Sequence, residues 1–193
     1  MSAHNGDVDY NALKDHGLEF VYLKATEGGD FKDKNFAKNF KEAKAAGLLT
    51  GVYHFFRFDT PGYLQALNVL HSISGREINL PVVIDVEEWG NPRGIATDKI
   101  IKEVKNMAET LRKEGYEIML YTNKDGYNRF VKKGLKEFPL WLCSFRKIND
   151  SVEWDMWQYT HRGIIKGVER LTDLSVWKGT KEEWDNKYKI SNN

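Results

Sequence analysis

A chain of 193 residues with 41% hydrophobic content can bury a full core in one domain, and no apolar run approaches the ~20 residues needed to span a bilayer. Lys plus Arg number 29 against 28 for Asp plus Glu, which gives no general electrostatic case for nucleic acid or an anionic membrane as a partner. The first residues lack the charged and apolar regions of a signal peptide; the lone Cys143 excludes an internal disulfide and, set in an apolar run, reads as a core residue.

In chain order, strand and helix patterns alternate. Asp9 can cap a short helix from Tyr10 to His16 that stops at Gly17. Leu18 to Thr26 reads as a strand, broken by the turn Glu27-Gly28-Gly29-Asp30. Phe36, Phe40, Ala43 and Gly47 mark a helix from about Asp33 to Ala46, and Leu48 to Phe58 is a strand again. Thr60-Pro61 reads as an N-cap followed by Pro at the first helical position, for a helix running to Gly75. Thr97 is expected to cap a long helix in which Ile100, Ile101, Val104, Ala108 and Leu111 form one apolar face.

Later segments are less regular. Tyr116 to Thr122 is a strand followed by a short helix around Asp125 to Lys133. Pro139 to Phe145, Val152 to Tyr159 and Val168 to Leu174 then follow as strands without long helices between them. Roughly seven strands, or eight if a first one precedes Ser2, point to an α/β fold: a single-domain (β/α) barrel over residues 1–193 with degenerate late helices. In such a barrel the site lies at the C-terminal strand ends, which here carry Lys24, Thr26 and Glu27, Tyr53 and His54, Asp85 and Glu87, Tyr121 and Asn123, Gln158 and Tyr159, and Asp173.

The stretch from Leu80 to Trp89 is the centre of this arrangement. An apolar run, Val82-Val83-Ile84, turns abruptly acidic, as a buried strand does where it ends at a solvent-facing rim. Side chains alternate along a strand with a rise of about 3.3 Å per residue, so Asp85 and Glu87 emerge on one face while Val86 points the other way. Two carboxylates so placed share a field, and ionisation of one raises the proton affinity of the other, which suits a general acid. Plentiful aromatic rings offer surfaces for stacking sugars; Tyr53, Tyr121 and Trp141 stand at or near strand ends, with Trp141 as readily a core residue.

Other chemistries lack their motifs. The five His form no HxxxH or HxH pair, so no metal site is expected, and His54 in an apolar strand reads as a satisfied core or rim residue. No GxSxG, GxGxxG or GxxxxGK[ST] is present, which removes the usual hydrolase elbow and nucleotide loops.

Ser2 and Gly6, Lys24-Ala25-Thr26-Glu27-Gly28, Gly51-Val52-Tyr53-His54-Phe55-Phe56, Asp85-Val86-Glu87, Tyr121-Thr122-Asn123, Trp157-Gln158-Tyr159 and Asp173-Leu174 occur in the order seen in glycoside hydrolase family 25. The chain resembles these lysozymes of the N,O-diacetylmuramidase type over essentially its whole length. The resemblance implies a flattened, TIM-like (β/α) barrel that cleaves the β-1,4 bond between N-acetylmuramic acid and N-acetylglucosamine in bacterial peptidoglycan. It further implies no cofactor, a monomer, and action on the cell wall, extracellular or released at lysis. By the same resemblance Glu87 is the acid/base with Asp85 beside it, and Asp173 lies on another strand of the pocket.

One departure stands at the start. Family members open with Gly-x-Asp-x-Ser, whose Asp lies in the pocket two residues before the Ser matching Ser2, a position that this sequence does not have. An incomplete first strand and weakened catalysis are the expectation. Asp85 and Glu87 side by side on one strand suit substrate assistance better than a nucleophile across the bond, although Asp173 could serve from the other side. Two alternatives stand beside the muramidase: a chitin-cleaving glycosidase and a catalytically weak or inactive cell-wall binding module.

Overall fold

In the computed structural model, residues 1–188 are described. The sheet has eight strands: β1 (Phe20–Glu27), β2 (Phe31–Lys32), β3 (Leu49–Phe55), β4 (Val82–Asp85), β5 (Ile118–Asn123), β6 (Leu140–Cys143), β7 (Met156–Gly163) and β8 (Thr172–Trp177). Their order is β2-β1-β3-β4-β5-β6-β7-β8. Every pairing from β1 through β7 is parallel, whereas β2 and β8 at the two edges run antiparallel. Helices α1 (Tyr10–Asp15), α2 (Phe36–Ala45), α3 (Gly62–Ile73) and α4 (Thr97–Lys113) connect the early strands. A short turn of helix, α5 (Lys124–Gly126), runs into a wide-turned segment over Tyr127–Leu135, and α6 (Lys181–Tyr188) follows β8.

Strand alternation sorts the core into two layers. Val82, Ile84 and Val86 join Ile100, Val104, Met107 and Leu111 of α4 in the cluster between sheet and helices. Val83 and Met119 face the other way and pack with Tyr22, Trp141, Met156 and, from α6, Trp184 and Tyr188. A parallel sheet covered on both faces explains the near-continuous apolar strands. Close approach of α3 to α4 requires Gly62: a Cβ there would stand 1.9 Å from the Glu103 carbonyl oxygen, and its N–H donates to Glu103 Oε2 at 2.7 Å.

Several boundaries differ from the sequence expectation. Pro61, not Thr60, takes the N-cap of α3, and Ala96 precedes α4, whose first residue is Thr97. Asp9 does cap α1, accepting from Ala12 N at 3.1 Å. The last strand lies at Thr172–Trp177 rather than Val168–Leu174 and forms a hairpin-like pair with β7. No helix separates β6 from β7 or β7 from β8, the degeneracy expected of the second half.

The flattened α/β architecture expected from the sequence is present as a curled, half-barrel sheet of eight strands. No ladder joins β1 to β8 among the described residues. Met1 bridges to β1 as a strand of one residue, donating to Tyr22 O at 2.6 Å and accepting from Lys24 N at 2.8 Å. Toward β8, Asn5 Nδ2 donates to Thr172 Oγ1 at 3.4 Å, and Val8 forms an isolated antiparallel bridge with Val168 before that strand.

His54 is fully buried on β3, its Nδ1 2.7 Å from Thr26 Oγ1 and its Nε2 2.9 Å from Gln65 Oε1. Burial pushes its pKa down to about 4, so the ring is neutral and structural, as its apolar strand suggested. Gln65 also accepts from Arg57 N and donates to Arg57 O and Thr60 O, tying the end of β3 to α3.

Candidate active site

A cavity of about 850 Å³ opens on the concave face. Asp85, Glu87, Lys24, Tyr53, Tyr121, Trp141, Gln158 and Asp173 all line it, so every site residue expected from the sequence except Glu27 converges there. The parallel strands deliver them: each chain leaves the sheet at the same end, and period-2 alternation aims Val83, Asp85 and Glu87 inward. β4 itself ends at Asp85, and Glu87 sits in the following loop on the same side.

Glu27 stands behind the wall. Its Oε2 accepts from Lys24 Nζ at 2.7 Å and its Oε1 lies 3.5 Å from Arg57 Nη1, so it anchors the lysine rather than facing the cavity. Trp141 is buried, packed against the rings of Tyr22 and Tyr121 at 4.9 and 5.1 Å, and forms floor rather than a free platform. Tyr121 donates its hydroxyl to buried Gln158 Oε1 at 2.9 Å, and burial keeps that phenol protonated. Tyr53 is likewise raised by burial. Asp173 stands exposed at the rim, yet the surrounding walls raise its pKa, opposed by the nearby Met1 ammonium and His161.

The two central carboxyls are unlike. Asp85 is 8% exposed and its Oδ1 is buried with no hydrogen-bond partner among the described residues. Burial pushes its pKa well above the ordinary carboxylate range; the Glu87 carboxylate raises it further and Lys24 opposes. Glu87 is also raised, first by burial, then by Asp173, while the amide of Asn123 donating to Oε1 at 3.2 Å works the other way. The sequence suggested that an Asp85 anion would hold the proton on Glu87. Both carboxyls are raised by burial and share one field, so their protons are released as those of a coupled pair.

The sequence placed Asn123 at a strand end without a role, and it did not single out Trp89. Asn123 ends β5 with Oδ1 accepting from Asp125 N and Gly126 N at 3.0 Å, which fixes its amide toward Glu87. Asn followed by a helix start was the available signal. Trp89, two residues beyond Glu87, lines the cavity while remaining 79% exposed. Cys143, expected in the core, is only half-buried at the end of β6, with its thiol pushed up to about 11 by burial.

A profile described as "Glycosyl hydrolases family 25" matches residues 1–168. The chain is 33% identical over 171 residues to the autolytic lysozyme of Clostridium acetobutylicum, covering 88% of this chain and 52% of that protein. It is 30% identical to the uncharacterized protein YegX of Escherichia coli, covering 89% of this chain and 64% of the other. The chain thus spans roughly half to two thirds of the length of these relatives. A family 25 glycosyl hydrolase from Bacillus anthracis superposes with a TM-score of 0.88 at 33% identity, covering 97% of this chain and 91% of that one. With paired carboxyls at the end of β4, a match over most of the chain and a shared fold, this chain belongs to glycosyl hydrolase family 25.

Proposed function

We propose that this chain is a muramidase that hydrolyses the β-1,4 bond between N-acetylmuramic acid and N-acetylglucosamine in bacterial peptidoglycan, with retention and by substrate assistance. The observation that carries this is Asp85: a buried carboxyl whose Oδ1 has no hydrogen-bond partner among the described residues, beside a second carboxyl in the same cavity. An unmatched buried acceptor is costly, and the N–H of a 2-acetamido sugar is the donor that would satisfy it. The lysozyme name of the Clostridium relative supports the same substrate.

Glu87 is the acid/base and Asp85 the group that orients the acetamido. The active form carries one proton between them. An N–H donated to Asp85 favours its carboxylate and so keeps the shared proton on Glu87. The acetamido carbonyl oxygen then attacks the anomeric carbon as the glycosidic C–O bond breaks, and Glu87 protonates the departing oxygen. The positive charge that develops on the cyclic intermediate lies against the Asp85 carboxylate. Water, deprotonated by Glu87, attacks the anomeric carbon as its bond to the acetamido oxygen breaks, which regenerates the acetamido group and leaves Glu87 protonated as at the start.

Lys24, Tyr53, Tyr121, Gln158, Trp141 and Asp173 bind and frame the sugars, and Glu27 holds Lys24. The enzyme acts on the cell wall, outside the cell or at lysis. Turbidity assays on peptidoglycan and on chitin test the substrate; clearing of chitin alone, or of neither, would refute it. Product anomers read by NMR immediately after cleavage test the mechanism, since an inverted product excludes substrate assistance.

A further inference from the structure

We propose that Trp89 is a stacking platform for a pyranose ring of the glycan strand away from the scissile bond, so that cleavage depends on strand length. This rests on the muramidase reading for the identity of the glycan. Trp89 is 79% exposed, whereas Trp141 and Trp184 are buried and Trp154, Trp157 and Trp177 half-buried. An indole so exposed returns little burial energy to the fold, yet its backbone is held on both sides.

Arg57 Nη1 donates to Gly90 O at 2.6 Å, and Arg129 Nη1 to the side chain of Glu88 at 2.6 Å. Asn91 Nδ2 donates to Glu87 O and Phe56 O at 2.9 Å, and Asn91 Oδ1 accepts from Phe58 N at 2.9 Å. The same loop therefore fixes Glu87 and Trp89 together. Phe55 meets the indole at 6.4 Å and 85°, a near-perpendicular contact that cannot cover both of its faces. A flat, exposed ring presented at a fixed place on the wall of the sugar cavity binds the apolar C–H face of a pyranose at small entropic cost.

The test uses soluble, uncrosslinked glycan strands and the shortest oligosaccharide the protein cleaves. Trp89→Ala is expected to raise KM about 5- to 15-fold on long strands, with kcat on the shortest substrate changed less than about 2-fold. Trp89→Phe should recover part of the loss. Phe145→Ala, at an exposed ring that does not line the cavity, should change neither value. Equal effects of Trp89→Ala on short and long substrates, or none, would overturn the proposal. Binding is read independently in a Glu87→Gln background: long strands should blue-shift tryptophan emission and protect it from acrylamide quenching, and Trp89→Ala should abolish both. Failure of the wild type to cleave any glycan would count against the muramidase reading, while this binding measurement still decides the role of Trp89.

Discussion

Asn123 donates to Glu87 Oε1 at 3.2 Å while its own Oδ1 is occupied by the N–H groups of Asp125 and Gly126 at the start of α5. The helix start thus sets the direction of the amide, and the amide favours ionised Glu87. Asp173 acts oppositely, raising the Glu87 pKa by its negative charge. Replacing each should therefore move the acid limb of the kcat/KM profile in opposite directions. Asn123→Ser keeps a capping oxygen but cannot reach Glu87, so the limb should rise in pH; Asp173→Asn should lower it. Shifts of the same sign in both variants would contradict this electrostatic arrangement.

Glu87→Gln keeps the shape of the side chain and removes its proton. Lysis should fall on the order of 100- to 10,000-fold, with the melting temperature unchanged or raised. Near wild-type lysis by the variant would show that another group protonates the leaving oxygen.

Asp85→Asn separates activity from stability. A folded-state pKa raised above the ordinary value of 3.8 means that the unfolded chain loses this proton first, so wild-type stability falls as pH rises from 3.8 toward the folded pKa. Removing the ionisable group should lower turnover and raise stability at neutral pH by about 1–3 kcal/mol, a melting shift of roughly 2–10 °C. The gain should shrink toward pH 3. Melting curves at pH 3 and pH 7 check it; a gain of the same size at both would remove ionisation as the cause.

Gln65→Leu should destabilise without altering the cavity chemistry directly. The amide satisfies His54 Nε2, Arg57 N, Arg57 O and Thr60 O at once, and an apolar replacement leaves these groups unpaired in a dry environment. A loss of about 2–4 kcal/mol, or roughly 5–15 °C, is expected by thermal melting. An unchanged melting temperature would mean that water or a shifted backbone replaces the network.

What the sequence determined by itself is local and periodic. Alternation in Val82-Val83-Ile84-Asp85-Val86-Glu87 was enough to put both carboxyls on one side, because side-chain direction in a strand depends only on parity. The apolar stripe Ile100, Ile101, Val104, Ala108 and Leu111 likewise named the buried face of α4. The tertiary structure alone decided what depends on groups distant in the chain. The rise of both the Glu87 and Asp85 pKa follows from how the curled sheet excludes water around them, and alternation along β4 carries no measure of that. Trp89 and Trp141 have the same composition and opposite exposure, since one sits on a loop tied down by Arg57 and Arg129 and the other lies between Tyr22 and Tyr121. The direction of the last strand is also a tertiary result: β8 turns antiparallel against β7, a choice made by long-range backbone hydrogen bonds that no local pattern encodes.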